Sequence, residues 1–216
     1  MAAGNVVGMF QGRMEFGPRA LGHRSILADP RDPEMVARIN RLVKLREGFR
    51  PFAPAVMAEH ADAWFDVDRE LPYMLFTAPV HEQRRLPAPD DPEPATGADL
   101  AERLAAARST IPACTHLDHS ARVQTVDADR NPELHRLLGA FHVRTGVPVL
   151  LNTSFNRRGE PIVNSPADAL RCFAAVALDL LVLEGCVVRR ADLPAHLDEA
   201  RAASAPRRDT ELESVS

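Results

Sequence analysis

Residues 145–156 read TGVPVLLNTSFN, and the order of events within them sets the fold class. A glycine closes the preceding helical pattern. A wholly apolar run, Val147 to Leu151, follows, as a strand buried on both faces of a sheet requires. The polar NTSFN comes directly after it. In α/β sheets ligands gather beyond the carboxyl ends of strands, so Asn152, Ser154 and Asn156 are placed to line a pocket. Their hydroxyl and amide groups offer neutral donors and acceptors to a ligand's oxygens. The same letters also make an ordinary turn, and the residues alone leave both readings open.

The pattern continues on either side. Ser165-Pro166 starts a helix, and Leu180 to Val188 (LLVLEGCVV) returns as strand. Upstream, Asn131-Pro132 caps a helix with Leu134, Leu137, Leu138 and Phe141 on one face, and Ala121 to Val126 reads as a strand. Strand, loop, helix and strand in this order imply α/β packing with crossover connections. Further back, Asp32 is read as an N-cap with Pro33 at the first helical position. Val36, Ile39, Leu42 and Val43 then share a face, and the helix delivers Lys44 before ending at Gly48. Asn5 to Gln11 reads as a short strand, taken as the end of a larger unit because nothing before it supplies a partner.

The segment RRLPAPDDPEPAT, Arg84 to Thr96, is too rich in proline and charge for a helix or a central strand. Together with a short alanine-rich helix, Leu100 to Arg108, it makes 84–108 a surface insertion. After Arg190 the chain becomes alanine-rich and then polar, and disorder is expected beyond Ala203. The division is a linking strand at 1–12, a domain at 13–190 and a helical-to-disordered tail at 191–216.

Composition removes several functions. A net charge of −4 is unsuited to general nucleic-acid binding. No apolar run reaches the ~20 residues of a membrane-spanning helix. Cys114, Cys172 and Cys186 have neither metal-ligand nor disulfide spacing, which suits a reducing cytoplasm. The histidines show no HxxxH or HExxH pattern, and Ser154 lacks a GxSxG elbow. Of the 26 basic residues, all but Lys44 are arginine. A lysine kept amid such replacement marks a place where a compact ammonium is needed and a planar guanidinium fails.

Lys44, Arg46 and Arg50 crowd into seven positions, stiffened by Pro51 and Pro54. That concentration in an acidic chain costs self-repulsion unless an anion joins it, and a polyphosphate is the natural candidate. No Walker-type GxxxxGK[ST] or GxGxxG is present, so a nucleotide would need a different cradle.

Four blocks carry a family resemblance: GRMEFGPRALGHRSILADPRDPEM (12–35), REGFRPFAPAV (46–56), SARVQTV (120–126) and TGVPVLLNTSFNRRGEPIVNSPADAL (145–170). They resemble the C-terminal region of the O-carbamoyltransferases, which carbamoylate hydroxyl groups of antibiotics and nodulation factors. The resemblance implies an α/β, YrdC-like domain, a twisted mixed sheet with flanking helices. Such a domain combines ATP, with Mg2+, and carbamoyl phosphate into carbamoyl-adenylate. The YrdC-like signature pairs Lys-x-Arg with Ser-x-Asn, matched here by Lys44-Leu45-Arg46 and Ser154-Phe155-Asn156. The resemblance assigns Lys44, Arg50 and Ser154 to catalysis, and Arg19, Arg46, Arg122, Asn152 and Asn156 to binding phosphates or the carbamoyl group. It also implies an iron-holding, Kae1-like transfer domain as partner, which is not in this sequence. One departure is His119, where the family usually has glycine; a bulky side chain there threatens to crowd the pocket. Two alternatives stand beside this reading. One is a non-catalytic nucleotide- or partner-binding remnant; the other is a threonylcarbamoyl-adenylate synthase-like protein, against which the long shared blocks speak.

Overall fold

The structure, a computed structural model, describes residues 1–46, 50–87 and 106–194. Nine strands are present among them: β1 (Val7–Phe10), β2 (Arg24–Ala28), β3 (Ala53–Met57), β4 (Thr77–Pro79), β5 (Ser120–Arg122), β6 (Gln124–Val126), β7 (Val149–Ser154), β8 (Leu180–Leu183) and β9 (Cys186–Arg189). Seven form one sheet in the order β6-β3-β7-β2-β1-β8-β9, while β4 and β5 pair separately. The β1–β8 and β3–β6 pairs are parallel and the rest antiparallel, so the sheet is mixed, as expected.

Helices cover both faces. Side chains alternate across β2, sending Leu27 to one core and Ile26 and Ala28 to the other. Helix α2 (Pro132–Thr145) covers the first face with Leu134, Leu138 and Phe141. Helices α1 (Met35–Ile39) and α3 (Pro166–Ala175) cover the second with Met35, Ile39, Ala169, Cys172 and Phe173. The caps of α2 and α3 follow the sequence pattern. Asn131 accepts from the Leu134 amide, and Ser165 with Asp168 closes a capping box.

Several expectations are corrected. Val7–Phe10, taken for a linker, lies between β2 and β8 and is bonded to both, so it belongs to this sheet. Asp32 does organise the start of α1, because its side chain takes the Glu34 amide at 2.9 Å. That turn delays the helix to Met35, beyond Pro33. A π turn over Asn40–Lys44 then shifts the buried face to Met35, Ile39 and Val43, leaving Leu42 exposed. The helix ends at Leu45 in the left-handed region, φ 48°, while Gly48 lies outside the described residues. Ala121 to Val126 divides at Val123 between the two sheets. Leu180 to Val188 is a hairpin that turns at Glu184-Gly185. β2 and β3 were not anticipated. The ends of the 84–108 insertion lie side by side, with the Leu86 amide on the Arg108 carbonyl and the Thr110 amide on that of Arg84. Its middle, like most of the 191–216 tail, is outside the described residues.

The 12–25 loop, which carries Arg19, is organised from within. One carboxylate oxygen of Glu15 accepts from the amides of Leu21, His23 and Arg24, at 2.6, 2.9 and 3.4 Å. Burial pushes the Glu15 pKa up, but hydrogen bonds from His23 and the backbone amides more than offset it and bring it to about 2. At the loop's end Gly22 has φ +118°, and a Cβ there would stand 2.7 Å from the Leu134 side chain.

Two predictions follow from this loop. Gly22→Ala combines a forbidden φ with a core clash and should cost roughly 2–4 kcal/mol. Gly146→Ala has φ +73° but open space, and should cost about 1 kcal/mol. Equal losses in urea melts would contradict the clash. Because Glu15 is held below its ordinary 4.5, the stability it contributes is complete above that pH and is lost as pH falls toward 2. That contribution is on the order of 3 kcal/mol. Glu15→Gln should lower stability near neutrality and flatten the slope through that window, read from urea midpoints.

Candidate functional site

The π turn ends by turning the Lys44 ammonium inward, toward the loop that follows β7. Its Nζ donates toward the Ser154 and Asn156 carbonyls at 2.5 and 3.1 Å, and toward Asn156 Oδ1 and Ser154 Oγ at 2.8 and 3.2 Å. Lys-x-Arg and Ser-x-Asn therefore meet directly, across more than a hundred residues of chain. The side chain is only 7% exposed. Burial, and then the charge of Arg46, lower the Lys44 pKa to about 7. Four oxygens around one nitrogen suit a compact ammonium, and a guanidinium could not enter the same space.

The exchange runs both ways. Ser154 Oγ donates to Asn156 Oδ1 at 2.7 Å, and Asn156 Nδ2 to the Glu160 carbonyl at 2.8 Å. Arg158 reaches back from this loop to the Leu45 carbonyl at 3.0 Å. Arg46 lies with its guanidinium 5.1 Å from the Phe52 ring centre.

A second group surrounds Arg19 and Arg122. Asn152, fully buried in β7 between β2 and β3, donates to the Ala20 carbonyl at 3.1 Å and to Gln124 Oε1 at 2.7 Å. Gln124 and Asn131 each donate to the Leu21 carbonyl, at 2.9 and 2.8 Å. This amide lattice fixes the backbone on which Arg19 stands. The Nδ2 donors of Asn152 are thus engaged within the protein, and its buried Oδ1 has no partner among the described residues. The buried Nε atoms of Arg19 and Arg122 likewise have none. Burial, then the like charge of Arg19, lower the Arg122 pKa. Two like charges held this close favour an anion beside them.

Both groups open into one cavity of two adjoining lobes. Lys44, Asn156, Arg157 and Arg158 wall the smaller, about 260 Å3. Arg19, Arg122, Asn152 and His116 wall the larger, about 510 Å3. Arg46, Arg50, Thr153 and Ser154 stand in both walls. The structure thus brings the eight sequence-selected residues to one place. No carboxylate walls either lobe among the described residues, and none of their His, Cys, Asp or Glu side chains cluster as a metal site. The walls fit phosphates well; a magnesium ion would be held by the ligand's own oxygens.

Sequence reading missed Arg157, Arg158 and His116. The first two follow the Ser-x-Asn directly, and that adjacency was a usable signal. His116 lines the larger lobe with Nδ1 3.0 Å from Ser120 Oγ. His119 is not a wall residue. It sits at φ 60°, a conformation glycine adopts freely, so the departure strains the turn and does not fill the cavity. Among the described residues no helix is long and apolar enough to cross a membrane.

Comparison with known proteins agrees with this architecture. The family model described as Carbamoyltransferase C-terminus matches residues 1–190. An uncharacterised protein of Synechocystis is 52% identical over 194 residues, 90% of this chain and 31% of that protein. The nodulation protein NolO of Bradyrhizobium diazoefficiens is 44% identical over 211 residues, 95% of this chain and 34% of that one. The 3'-hydroxymethylcephem-O-carbamoyltransferase of Amycolatopsis lactamdurans is 40% identical over 183 residues, 84% and 30% of the two chains. The chain thus spans about a third of the length of these relatives. With matched blocks running through both the sheet and the cavity walls, the chain belongs to the carbamoyltransferase C-terminus family.

Proposed function

We propose that this chain binds ATP and carbamoyl phosphate in the two-lobed cavity and forms carbamoyl-adenylate, whose carbamoyl group passes to a hydroxyl acceptor. The observation that carries this reading is the convergence of Lys44, Arg19, Arg46, Arg50, Arg122, Arg157 and Arg158 on one cavity, whose walls hold no carboxylate among the described residues, in a chain of net charge −4. Gathering like charges costs self-repulsion that an anion among them relieves; Arg157 is already ion-paired, its Nε 2.6 Å from Glu160 Oε1.

The chemistry requires positioning more than a nucleophile from the protein. Water cleaves carbamoyl phosphate to carbamate and phosphate. A carbamate oxygen then attacks the α-phosphorus of ATP, the bond to the β-phosphate oxygen breaks, and pyrophosphate leaves. Transfer to the hydroxyl releases AMP. In both phosphoryl steps negative charge spreads over oxygens, and preplaced guanidinium groups stabilise it at no cost of reorganisation. Lys44 holds Ser154 and Asn156 in place and adds its charge to the floor of the smaller lobe. Magnesium arriving with ATP would neutralise phosphate oxygens. The transfer step would use a further domain, as the greater length of the relatives suggests.

The direct test incubates the chain with ATP, carbamoyl phosphate and magnesium and measures pyrophosphate release. ATP binding without release would favour a binding-only remnant, and neither would reject the reading. Arg50→Ala and Arg122→Ala should each weaken ATP binding by roughly 1.5–3 kcal/mol, the scale of a charged hydrogen bond. Unchanged affinity in both, by calorimetry, would contradict the assignment. Lys44→Arg should fail nearly as badly as Lys44→Ala. Because Lys44 titrates near 7 when the cavity is empty, an incoming anion should raise its pKa and draw in a proton. Calorimetry at mildly alkaline pH in buffers of different ionisation heat should show that uptake, and Lys44→Met should abolish it.

A further inference from the structure

Asn40 is a polar side chain at 0% exposure on a helix face otherwise formed by Met35, Ile39 and Val43. A buried amide among apolar neighbours is costly unless all its groups are engaged. Those of Asn40 are engaged with the cavity's cations. Its Oδ1 accepts from Arg46 Nε at 2.6 Å, and its Nδ2 donates to the Arg50 carbonyl at 2.8 Å. Its own carbonyl accepts the amides of Leu45 and Arg46, closing the π turn. One residue therefore grips the side chain of the first arginine, the backbone of the second, and the turn that aims Lys44.

The Arg46 guanidinium is held on its Nε edge by Asn40 and on one face by the Phe52 ring. That leaves its direction into the shared wall of the two lobes defined before any ligand arrives. Asn40 itself is not a wall residue. We infer that Asn40 is a positioning residue that presets Arg46 and Arg50 for a phosphate-bearing ligand, acting through them and never touching it. This rests on the anion-binding reading of the cavity. It adds a role for a residue that neither charge patterning nor the matched signature singles out.

A double-mutant cycle tests it, with inorganic pyrophosphate as the probe and the full chain throughout. Asn40→Ala should weaken pyrophosphate binding about tenfold with Arg46 present, and only about threefold in the Arg46→Ala background, where the Arg50 contact alone is left to lose. Equal losses in the two backgrounds would overturn the inference, because a general loosening of the fold does not depend on Arg46. Asn40→Asp guards against failure to fold. It keeps the size and the acceptor for Arg46, but sets a carboxylate against the Arg50 carbonyl and offsets the Arg46 charge. It too should bind at least about tenfold more weakly, while its urea midpoint stays closer to wild type than that of Asn40→Ala. Wild-type-like binding by Asn40→Asp would overturn the inference. If the wild-type chain itself fails to bind pyrophosphate and ATP, the anion-site reading falls and this one with it. Binding by wild type without coupling removes this inference alone.

Discussion

A single buried ammonium joins the end of the first helix to the loop that walls the smaller lobe. Lys44 stands at the end of a short helix and Ser154 and Asn156 at the end of a strand, separated by more than a hundred residues, and the contact is made by side chain and backbone together. Loop-closure entropy opposes such a contact, so the sheet must first bring β7 beside β3 and β2. Once it has, the four oxygens around Nζ fix the Ser-x-Asn loop, and that loop in turn holds the helix end through Arg158. The central strands thus act as scaffold, with Ser154 at the end of β7 and Asn156 just past it.

The cationic cavity is made tolerable by neutral groups. Two arginine-bearing segments are braced by amides: Arg46 by Asn40, and the loop that bears Arg19 by Asn152, Gln124 and Asn131, whereas Arg157 pairs with the Glu160 carboxylate. A carboxylate brace would hold as firmly but would cancel the charge on offer. Glu15, the carboxylate that organises this loop, spends its charge on three backbone amides and does not wall the cavity. Keeping the carboxylate that folds the loop out of the walls leaves the field of the cavity positive.

Legibility followed how local each signal is. The caps at Asn131 and Ser165 are readable because they depend on neighbours three residues away, and the apolar run before Asn152 is readable because burial on both faces leaves no polar residue in it. β2 was hidden by the His23 and Arg24 beside it. β3 was hidden by Pro54, which is tolerated because it precedes the stretch paired with β6 and has one strand neighbour, β7. The hairpin at Glu184 was missed because its turn places a non-glycine residue at φ 51°. In the cavity, charge patterning found Lys44, Arg46 and Arg50, and the family resemblance supplied Arg19, Arg122, Asn152, Ser154 and Asn156, while Arg157 and Arg158 were missed. The amides Asn40 and Gln124 escaped both, since a buried amide declares its purpose only through contacts that the fold creates.

The π turn over Asn40–Lys44 has a consequence of its own. Such a turn is an α-helix carrying one surplus residue, and each residue in a helix advances the facing direction by about 100°. Deleting any one position of that turn would restore regular winding and swing the terminal lysine a quarter-turn off its four oxygens. The surplus residue works as a phase adjustment, setting the direction of Lys44 by counting residues. Length conservation in this short segment should accordingly be stricter than conservation of the letters that occupy its outward face.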